Sequence, residues 1–313
     1  LPICNNLVGT LPESLSWLSY LRTFNVVSNS LTGTLSSSWG TWTGMEYFEV
    51  WANQIGGTLP SSWSGWTHIQ YFSVAFNNQI AGTLPSSWSA WTGIDTFGAG
   101  FNQLTWILPP SWGAWTGITV MYLASNQLSW PLPDSWSGQV NVTQMNLDHN
   151  QLSWPLPTSW SGMVNMNYFD VSNNQLSWPL PDSWSTWTAV EQFIINNNNL
   201  SWYIPSSWHT NRANVISYLL HFENNCIYKS GYSSGMQTWL DTFTVLDPQN
   251  LCYTLTYTWN AGGIMSGTLS QTLQPNGTGT VVVVIADTWY TFSWWNDGYT
   301  WTTRIDGNIT GDA

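Results

Sequence analysis

Charged residues are scarce in this chain of 313 residues, at 6% of the total against roughly 25% in ordinary globular domains. The formal net charge is −12, and the basic residues are only Arg22, Arg212, Lys229 and Arg304. We therefore expect no nucleic-acid partner, because no cluster of cations is present to neutralise phosphates. A surface with so little charge needs another source of solubility, such as attached sugar or burial in an assembly.

Long apolar runs are also missing from the sequence. No stretch of about 18 or more apolar residues occurs, so we expect no membrane-spanning segment. The chain does not open with basic residues followed by an apolar run, so we expect that any signal peptide has already been removed. The hydrophobic fraction of 43% is nevertheless enough for a large core in one or two domains.

The dominant feature that is present is an internal repeat. An asparagine that we call the marker recurs, mostly every 24 residues, as Asn5, Asn29, Asn53, Asn77, Asn102, Asn126, Asn150, Asn174, Asn198 and Asn225. A fixed period in this range is typical of a solenoid. Apolar residues surround each marker in one frame, for example Leu21, Phe24, Val26, Asn29 and Leu31. The frame predicts a short strand, with the marker amide turned inward to satisfy backbone groups at the bend.

This frame resembles the leucine-rich repeat. The segments that follow the marker, such as residues 57–60 (GTLP) and 178–181 (WPLP), are similar to the plant-type subclass. The recurrent Leu-Pro-x-Ser-Trp-Ser further resembles repeats of protozoan surface antigens and proteophosphoglycans. The resemblance covers residues 1–228 and implies a right-handed superhelix, with a parallel strand ladder on its concave face and an irregular or 3-10 convex side. It also implies a role in recognition or surface structure rather than catalysis.

The two ends of the array are expected to need covers. Leu1 already falls inside a repeat, so we expect a removed segment or another molecule on the first repeat. At the other end, residues 229–252 resemble the disulfide-stapled cap of extracellular leucine-rich-repeat proteins, which implies a Cys226–Cys252 bond. With three cysteines the sequence alone also allows a pair that involves Cys4.

Residues 253–313 have a different texture. Short β-branched and aromatic runs such as GTVVVVIA and TWYTFSWW alternate with turn sequences such as Asn-Asp-Gly. The pattern predicts about five antiparallel strands in a small all-β, sandwich-like domain. The uncharged run VVVVIA would recruit another strand if it lay on a sheet edge.

Signals for catalysis are weak. The sequence has no phosphate-cradling glycine loop and no paired-cysteine metal spacing, and its histidines lie in different repeats. Asp148 and His149 are the most suggestive neighbours, but successive strand residues point to opposite faces, so we expect them not to converge. We therefore expect no enzymatic activity, no cofactor and no metal site.

Eighteen of the 26 tryptophans fall into three columns, of which two are expected to fill the core because the first copy has Leu15 and Leu18 there. The first core column contains Trp39, Trp63, Trp88, Trp112, Trp136, Trp160, Trp184 and Trp208. The second core column contains Trp42, Trp66, Trp91, Trp115 and Trp187. An alternative is that the W-x-x-W spacing, which resembles the acceptor motif for C-mannosylation, marks Trp39, Trp63, Trp88, Trp112 and Trp184 as modified. That alternative needs more room than a tight core gives.

The third column, which we call the Trp stripe, contains Trp106, Trp130, Trp154, Trp178 and Trp202. Earlier copies carry glycine at this position, so it is not an obligatory core site. Five rings on successive repeats should lie along one flank, roughly one strand spacing apart. Either they stack on one another and stiffen the array, or they form an aromatic contact face for sugar or a neighbouring subunit.

The concave face is expected to present the non-frame residues of each strand. The binding candidates there are Glu49, Trp51, Tyr71, Phe76, Phe101, Tyr122, Asp148, Tyr168 and Asp170. Acids interleaved with aromatics suit a carbohydrate, a peptide or cations better than an anion. Scattered surface acids would give the same set of residues.

The functional prediction follows from these features together. Four glycosylation sequons occur, at Asn141, Asn199, Asn276 and Asn308, and favour a secreted or cell-surface glycoprotein. We predict a non-enzymatic structural or adhesive protein that assembles with itself, head to tail, into a filament. The alternative is a recognition ectodomain that binds a peptide or glycan on the concave face.

Overall fold

The computed structural model describes residues 5–202, 204–211, 220–222, 224–227, 233–234, 253–256, 263–267, 270–273, 282–286 and 303–304. Within the array, each repeat contributes a strand, a bend at the marker asparagine, a second strand and a 3-10 turn. Equivalent elements of successive repeats pair in parallel. These stacked parallel ladders fit a leucine-rich-repeat solenoid, so the solenoid part of the fold prediction is confirmed.

The first ladder, which we call the main ladder, is a nine-stranded parallel sheet. Its strands are Thr23–Asn25, Tyr47–Glu49, Tyr71–Ser73, Thr96–Gly98, Val120–Tyr122, Gln144–Asn146, Tyr168–Asp170, Gln192–Ile194 and Leu220–His221. The middle residue of each three-residue strand points into the core, as Phe48, Phe72 and Phe97 do, and their neighbours on the strand point outward.

A second parallel ladder, the side ladder, follows the marker bends and was not predicted from the sequence. It contains Gly56–Thr58, Gln79–Thr83, Gln103–Trp106, Gln127–Trp130, Gln151–Trp154, Gln175–Trp178, Asn199–Trp202 and Cys226–Ile227. The strands Val8–Thr10 and Ser30–Thr32 pair separately at its beginning. The alternation typical of strands is hidden here, because glycine or tryptophan in the left-handed φ region interrupts the sequence pattern.

Short helices form the remaining side of the solenoid. The 3-10 helices are Glu13–Trp17, Ser37–Thr41, Ser61–Gly65, Ser86–Ala90, Pro110–Ala114, Asp134–Gly138, Thr158–Gly162 and Asp182–Thr186, and Ser206–Asn211 is an α-helix. A proline precedes most of them and fixes the extended entry into the turn.

Two tryptophan columns fill the core, as predicted. All thirteen side chains of the two core columns have no exposed surface. Within a repeat Trp112 and Trp115 stack with ring centroids 4.0 Å apart, and between repeats Trp63 and Trp88 stack at 6.2 Å. Rings packed this closely leave no room for a sugar, so the C-mannosylation interpretation of the buried tryptophans is wrong for the folded chain.

The marker asparagines join consecutive repeats through hydrogen bonds. Asn126 accepts a bond from the Leu104 backbone N–H at 2.9 Å, and its amide donates to the Ala99 and Leu123 carbonyls at 3.1 Å. Asn53, Asn77, Asn102, Asn150, Asn174 and Asn198 repeat this pattern. The predicted inward turn of the marker is thereby confirmed, since each side chain bonds backbone groups on both sides of the bend.

Beyond the array the described strands pair antiparallel. Tyr253–Thr256 pairs with Ser270–Leu273, and Gly263–Gly267 pairs with Val282–Ala286, which also pairs with Thr303–Arg304. The predicted sandwich-like domain otherwise lies outside the described residues and stays a prediction, as do the cap at 229–252 and the domain boundaries. Cys4 and Cys252 are also outside them, so the predicted disulfide is untested.

Candidate ligand-binding face

The outward side chains of the main ladder, with those of the bends that follow it, form a surface that we call the main face. An aromatic row runs across successive repeats on this surface. Phe76 and Phe101 stack with ring centroids 4.3 Å apart, Phe101 and Tyr122 lie 6.4 Å apart, and Trp51 meets Phe76 edge-on at 6.5 Å. The row is therefore continuous over four repeats.

Phe76 and Phe101 occupy an unfavourable backbone conformation. Each immediately precedes a marker asparagine and has φ of +53° and +54°, in the left-handed region. Other repeats place Ser28, Ser125 or Asn173 at this position, and small polar residues tolerate it better than an aromatic ring does. Phe76 is moreover 40% exposed, so burial does not offset the strain. The exposed ring of Phe76 in this conformation makes it a candidate for a functional role.

One end of the row is anchored by the buried carboxylate of Glu49. It accepts hydrogen bonds from the Tyr47 hydroxyl at 2.8 Å, the Trp51 indole at 2.5 Å and the Asn25 amide at 2.7 Å. Burial and the Glu49 carboxylate together raise the pKa of Tyr47 and of Tyr71. Both phenols therefore stay neutral donors, and the carboxylate holds the rings of Tyr47 and Trp51 in fixed positions.

A second carboxylate cluster lies on the same face, two repeats beyond Tyr122. Asp170 accepts hydrogen bonds from the Ser172 backbone N–H at 2.9 Å and the Tyr168 hydroxyl at 3.1 Å. Burial raises the pKa of Asp170, and burial beside this carboxyl raises the pKa of Tyr168. The Asn146 amide reaches the Tyr168 hydroxyl at 3.4 Å, so the cluster spans two repeats.

All of the predicted binding candidates lie on the main face or in its bends, with different exposure. Glu49 and Asp170 are buried, Phe76 is exposed, and the half-buried ones are Trp51, Tyr71, Phe101, Tyr122, Asp148 and Tyr168. The structure brings Glu49, Trp51 and Tyr71 together and separately groups Tyr168 with Asp170. Asn25 and Asn146 were missed, although they stand at the same place in their repeats as Glu49 and Asp170.

One sequence expectation about this face was wrong. Asp148 and His149 do contact each other, with 2.6 Å between a carboxylate oxygen and Nδ1. Both follow the strand Gln144–Asn146 rather than lie within it, and the φ of His149 is +50°, so strand alternation does not apply.

The electrostatic character of the main face is acidic. Its strands and bends carry Glu49, Asp148 and Asp170, and Glu46 and Asp95 immediately precede two of the strands, while the basic residue Arg22 pairs with Glu46. Cations are therefore favoured over anions at this surface.

The remaining predicted sites lie elsewhere. Asn141 and Asn199 are exposed, whereas Asn276 and Asn308 lie outside the described residues. Trp106, Trp130, Trp154 and Trp178 are exposed on the side ladder, and the side chain of Trp202 is not described. In the described part of the chain, no three His, Cys, Asp or Glu side chains gather as metal ligands. None of the helices described there is long and apolar enough to cross a membrane.

Comparisons with known proteins agree with this architecture. The Leucine Rich Repeat family model matches residues 165–187. No curated protein matches the chain. The similarity to protozoan repeats is thus untested and stays a prediction.

Solved structures give the same class of fold. The ectodomain of the Arabidopsis thaliana receptor kinase GASSHO1/SCHENGEN3, in complex with CASPARIAN STRIP INTEGRITY FACTOR 2, has a TM-score of 0.67 and 25% identity over 71% of this chain. The Arabidopsis receptor kinase HAESA, in complex with the peptide hormone IDA and the co-receptor SERK1, has a TM-score of 0.66 and 25% identity over 71% of this chain. The chain spans 26% and 37% of their lengths. A Leptospira interrogans leucine-rich-repeat protein has a TM-score of 0.63 and 18% identity. The match covers 78% of this chain and 59% of the Leptospira chain.

Proposed function

We propose that this chain is a non-enzymatic, extracellular recognition module that binds an extended peptide along the main face. The observation that carries the proposal is the stacked pair of Phe76 and Phe101, both at positive φ, of which Phe76 is exposed and Phe101 half-buried. An aromatic platform that the fold does not need for its own packing is suited to an apolar side chain of a partner.

The charge of the surface defines the class of peptide. Acidic side chains flank the aromatic row at both ends, and Arg22 is its basic neighbour. We expect a peptide that carries one or more Arg or Lys residues and an aromatic or aliphatic anchor. The HAESA ectodomain, which has a similar fold, was solved with the peptide hormone IDA, and this supports a peptide over a glycan on this face.

The test selects random peptides displayed on phage against the immobilised chain and measures the affinity of those recovered. We expect sequences enriched in basic and apolar residues, with binding that weakens as salt is raised. The variant Phe76→Ser/Phe101→Ser should lower affinity roughly 10- to 30-fold. Serine is a conservative choice, since Ser28 and Ser125 occupy the same backbone conformation in their own repeats.

Trp17→Thr is the matched control, because it removes an exposed aromatic ring away from the main face. Selected peptides that bind the double variant as well as the unchanged chain would contradict the proposal, as would a selection that yields only acidic sequences.

A second proposal is head-to-tail self-assembly of a surface or adhesive glycoprotein into a filament. The observation in its favour is the exposure of Trp17 and Tyr20, at 75% and 96%, where the next repeat carries Thr41 and Gly44. Large exposed aromatics beside a sparsely charged surface favour association. A contact between two different surfaces of identical copies repeats without closing and gives a fibre.

Sedimentation velocity over a range of concentrations tests this second proposal. We expect large species that electron microscopy resolves as fibres, and their loss in Trp17→Thr/Tyr20→Gly. A single monomeric species at physiological salt would exclude self-assembly and leave the recognition module standing.

A further inference from the structure

The Trp stripe has an unusual backbone conformation. Trp106, Trp130, Trp154 and Trp178 end their side-ladder strands with φ between +73° and +75°. Earlier repeats carry glycine there, and Gly9, Gly33, Gly57 and Gly82 have φ between +76° and +88°. Glycine adopts this region freely, whereas a bulky side chain in it is strained. The chain thus carries a large aromatic residue at a position where its own repeats show that glycine folds.

The local packing of the side ladder differs between the two kinds of repeat. A Cβ added at Gly33 or Gly57 would lie 2.8 or 2.7 Å from the Cγ2 of the threonine in the preceding repeat. The equivalent residue of the preceding repeat is Ile107, Pro131 or Pro155 for Trp130, Trp154 and Trp178, whereas Trp106 still follows a repeat that carries Thr83. From Trp130 onward, the change from glycine to tryptophan is therefore accompanied by a change in its neighbour.

Core packing does not explain these rings. The side chains of Trp106, Trp130, Trp154 and Trp178 are 58%, 50%, 59% and 62% exposed. Trp106 and Trp130 lie 6.3 Å apart at an angle of 52°, whereas the buried Trp63 and Trp88 stack at 2°. The ladder of parallel rings that would stiffen the array is thus absent between Trp106 and Trp130, and at least half of each residue's surface is open to solvent.

The surroundings of the stripe are polar but neutral. The four strands that end in these tryptophans contain no charged residue, and each begins with an exposed glutamine, such as Gln127 or Gln151. A half-buried threonine or serine precedes each ring. Indole faces pack well on the C–H faces of sugar rings, and amides both donate to and accept from hydroxyl groups.

We propose that the Trp stripe is a binding platform for a neutral polysaccharide chain that runs along the side ladder. A polymer with one sugar per step can meet a protein surface with one ring per repeat, and neither partner has charge to desolvate. A second copy of this chain fits less well. The four rings expose on the order of 500 Å² in total, which is less than the roughly 800 Å² that each partner buries in a stable protein interface.

Affinity electrophoresis in native gels provides the test, with hydroxyethyl cellulose, xylan or laminarin in the gel as neutral glycans. We expect at least one of these polymers to retard the chain and the acidic polymer polygalacturonate not to. The variant Trp106→Gly/Trp130→Gly/Trp154→Gly/Trp178→Gly should weaken retardation at least tenfold. It should keep the circular dichroism spectrum, since glycine already occupies this position in four repeats.

Two further variants keep the result interpretable. Replacement of the same four residues by tyrosine retains ring faces and should preserve part of the binding. Val164→Thr removes an exposed apolar side chain outside the side ladder and should leave binding unchanged. If the quadruple glycine variant unfolds, the single changes Trp130→Gly and Trp154→Gly should each weaken retardation by a smaller factor.

Three outcomes would overturn the proposal. They are the absence of retardation by all three neutral polymers, equal retardation of the glycine variant, and a dimer that sediments only when the stripe is present. The last would assign the stripe to a second copy. These results are independent of peptide binding on the main face, because the variants alter different ladders.

Discussion

At the scale of single residues, buried hydrogen bonds decide which polar side chains the solenoid can hold. A marker asparagine is buried, but each of its polar atoms has a backbone partner in its own or an adjacent repeat. The amide supplies donor and acceptor together, which no apolar residue of similar size can do.

Asn126→Ala should lower the free energy of unfolding by roughly 2–4 kcal/mol, since it leaves the buried Leu104 N–H and several carbonyls without partners. Urea unfolding followed by circular dichroism would measure the change. The exposed neighbour Gln127→Ala should stay within about 0.5 kcal/mol. Equal effects of the two substitutions would refute the structural role of the marker.

Asp170 gives a prediction with a defined sign in pH. Burial raises its pKa above the ordinary 3.8, so the folded chain holds this proton more tightly than the unfolded chain does. The contribution of Asp170 to stability is therefore complete below pH 3.8 and falls as the pH rises through the raised pKa. Asp170→Asn should remove this fall, and thermal unfolding between pH 3.5 and 7 should show a flatter profile.

An asparagine fits at position 170, because Asn146 accepts the Asp148 backbone N–H at 3.0 Å in the same way that Asp170 accepts that of Ser172. The converse change, Asn146→Asp, should steepen the profile. A profile that neither substitution alters would show that this carboxyl does not govern the pH dependence.

At the scale of elements, every core tryptophan except Trp39 both fills volume and donates a hydrogen bond to the neighbouring repeat. Trp112 donates its indole N–H to the Pro85 carbonyl at 3.1 Å, and Trp115 donates to the Trp88 carbonyl at 3.0 Å. Where Gln139 replaces a tryptophan of the second column, its amide makes the equivalent bond to the Trp112 carbonyl. Tryptophan thus adds a hydrogen bond that phenylalanine could not make, although Met163 fills the same column in its repeat without a donor.

Trp112→Ala should cost about 3–5 kcal/mol, from the lost burial and the cavity that it leaves. Chemical denaturation would measure this loss, with the exposed Trp17→Thr as a control that should stay within about 0.5 kcal/mol. Similar losses in the two variants would mean that ring burial does not dominate the stability of the core.

At the scale of the whole molecule, contacts run between adjacent repeats, as expected for a one-dimensional array. The marker bonds join residues 22 or 27 positions apart, in neighbouring repeats. The length of the array is therefore adjustable without a new core.

Deletion of residues 127–150 joins Asn126 to Gln151 and restores the same Asn-Gln junction. We expect a folded chain with an unchanged spectrum per residue and a urea m-value that falls roughly in proportion to the length removed. Deletion of residues 127–138 removes only part of a repeat and should unfold the array locally. If both deletions were equally disruptive, the repeats would not be independent units.

Much of this fold could be predicted from the sequence, because the period of the marker asparagines and the spacing of Leu21, Phe24 and Val26 depend only on local chain geometry. The core assignment of the tryptophans followed from Leu15 and Leu18 in the first copy. The positions of the main-face candidates also followed, since one repeat in register places all the others.

Only the tertiary structure decided the rest. The side ladder is held by pairing between repeats, and its glycine and tryptophan residues at positive φ hide the strand pattern. The contact between Asp148 and His149, the enclosure of Glu49 by Asn25 and Tyr47, and the strain at Phe76 all depend on how neighbouring repeats bend and stack. Sequence period thus determined the register of this protein, whereas exposure, strain and side-chain partners depend on distances between repeats that the period does not contain.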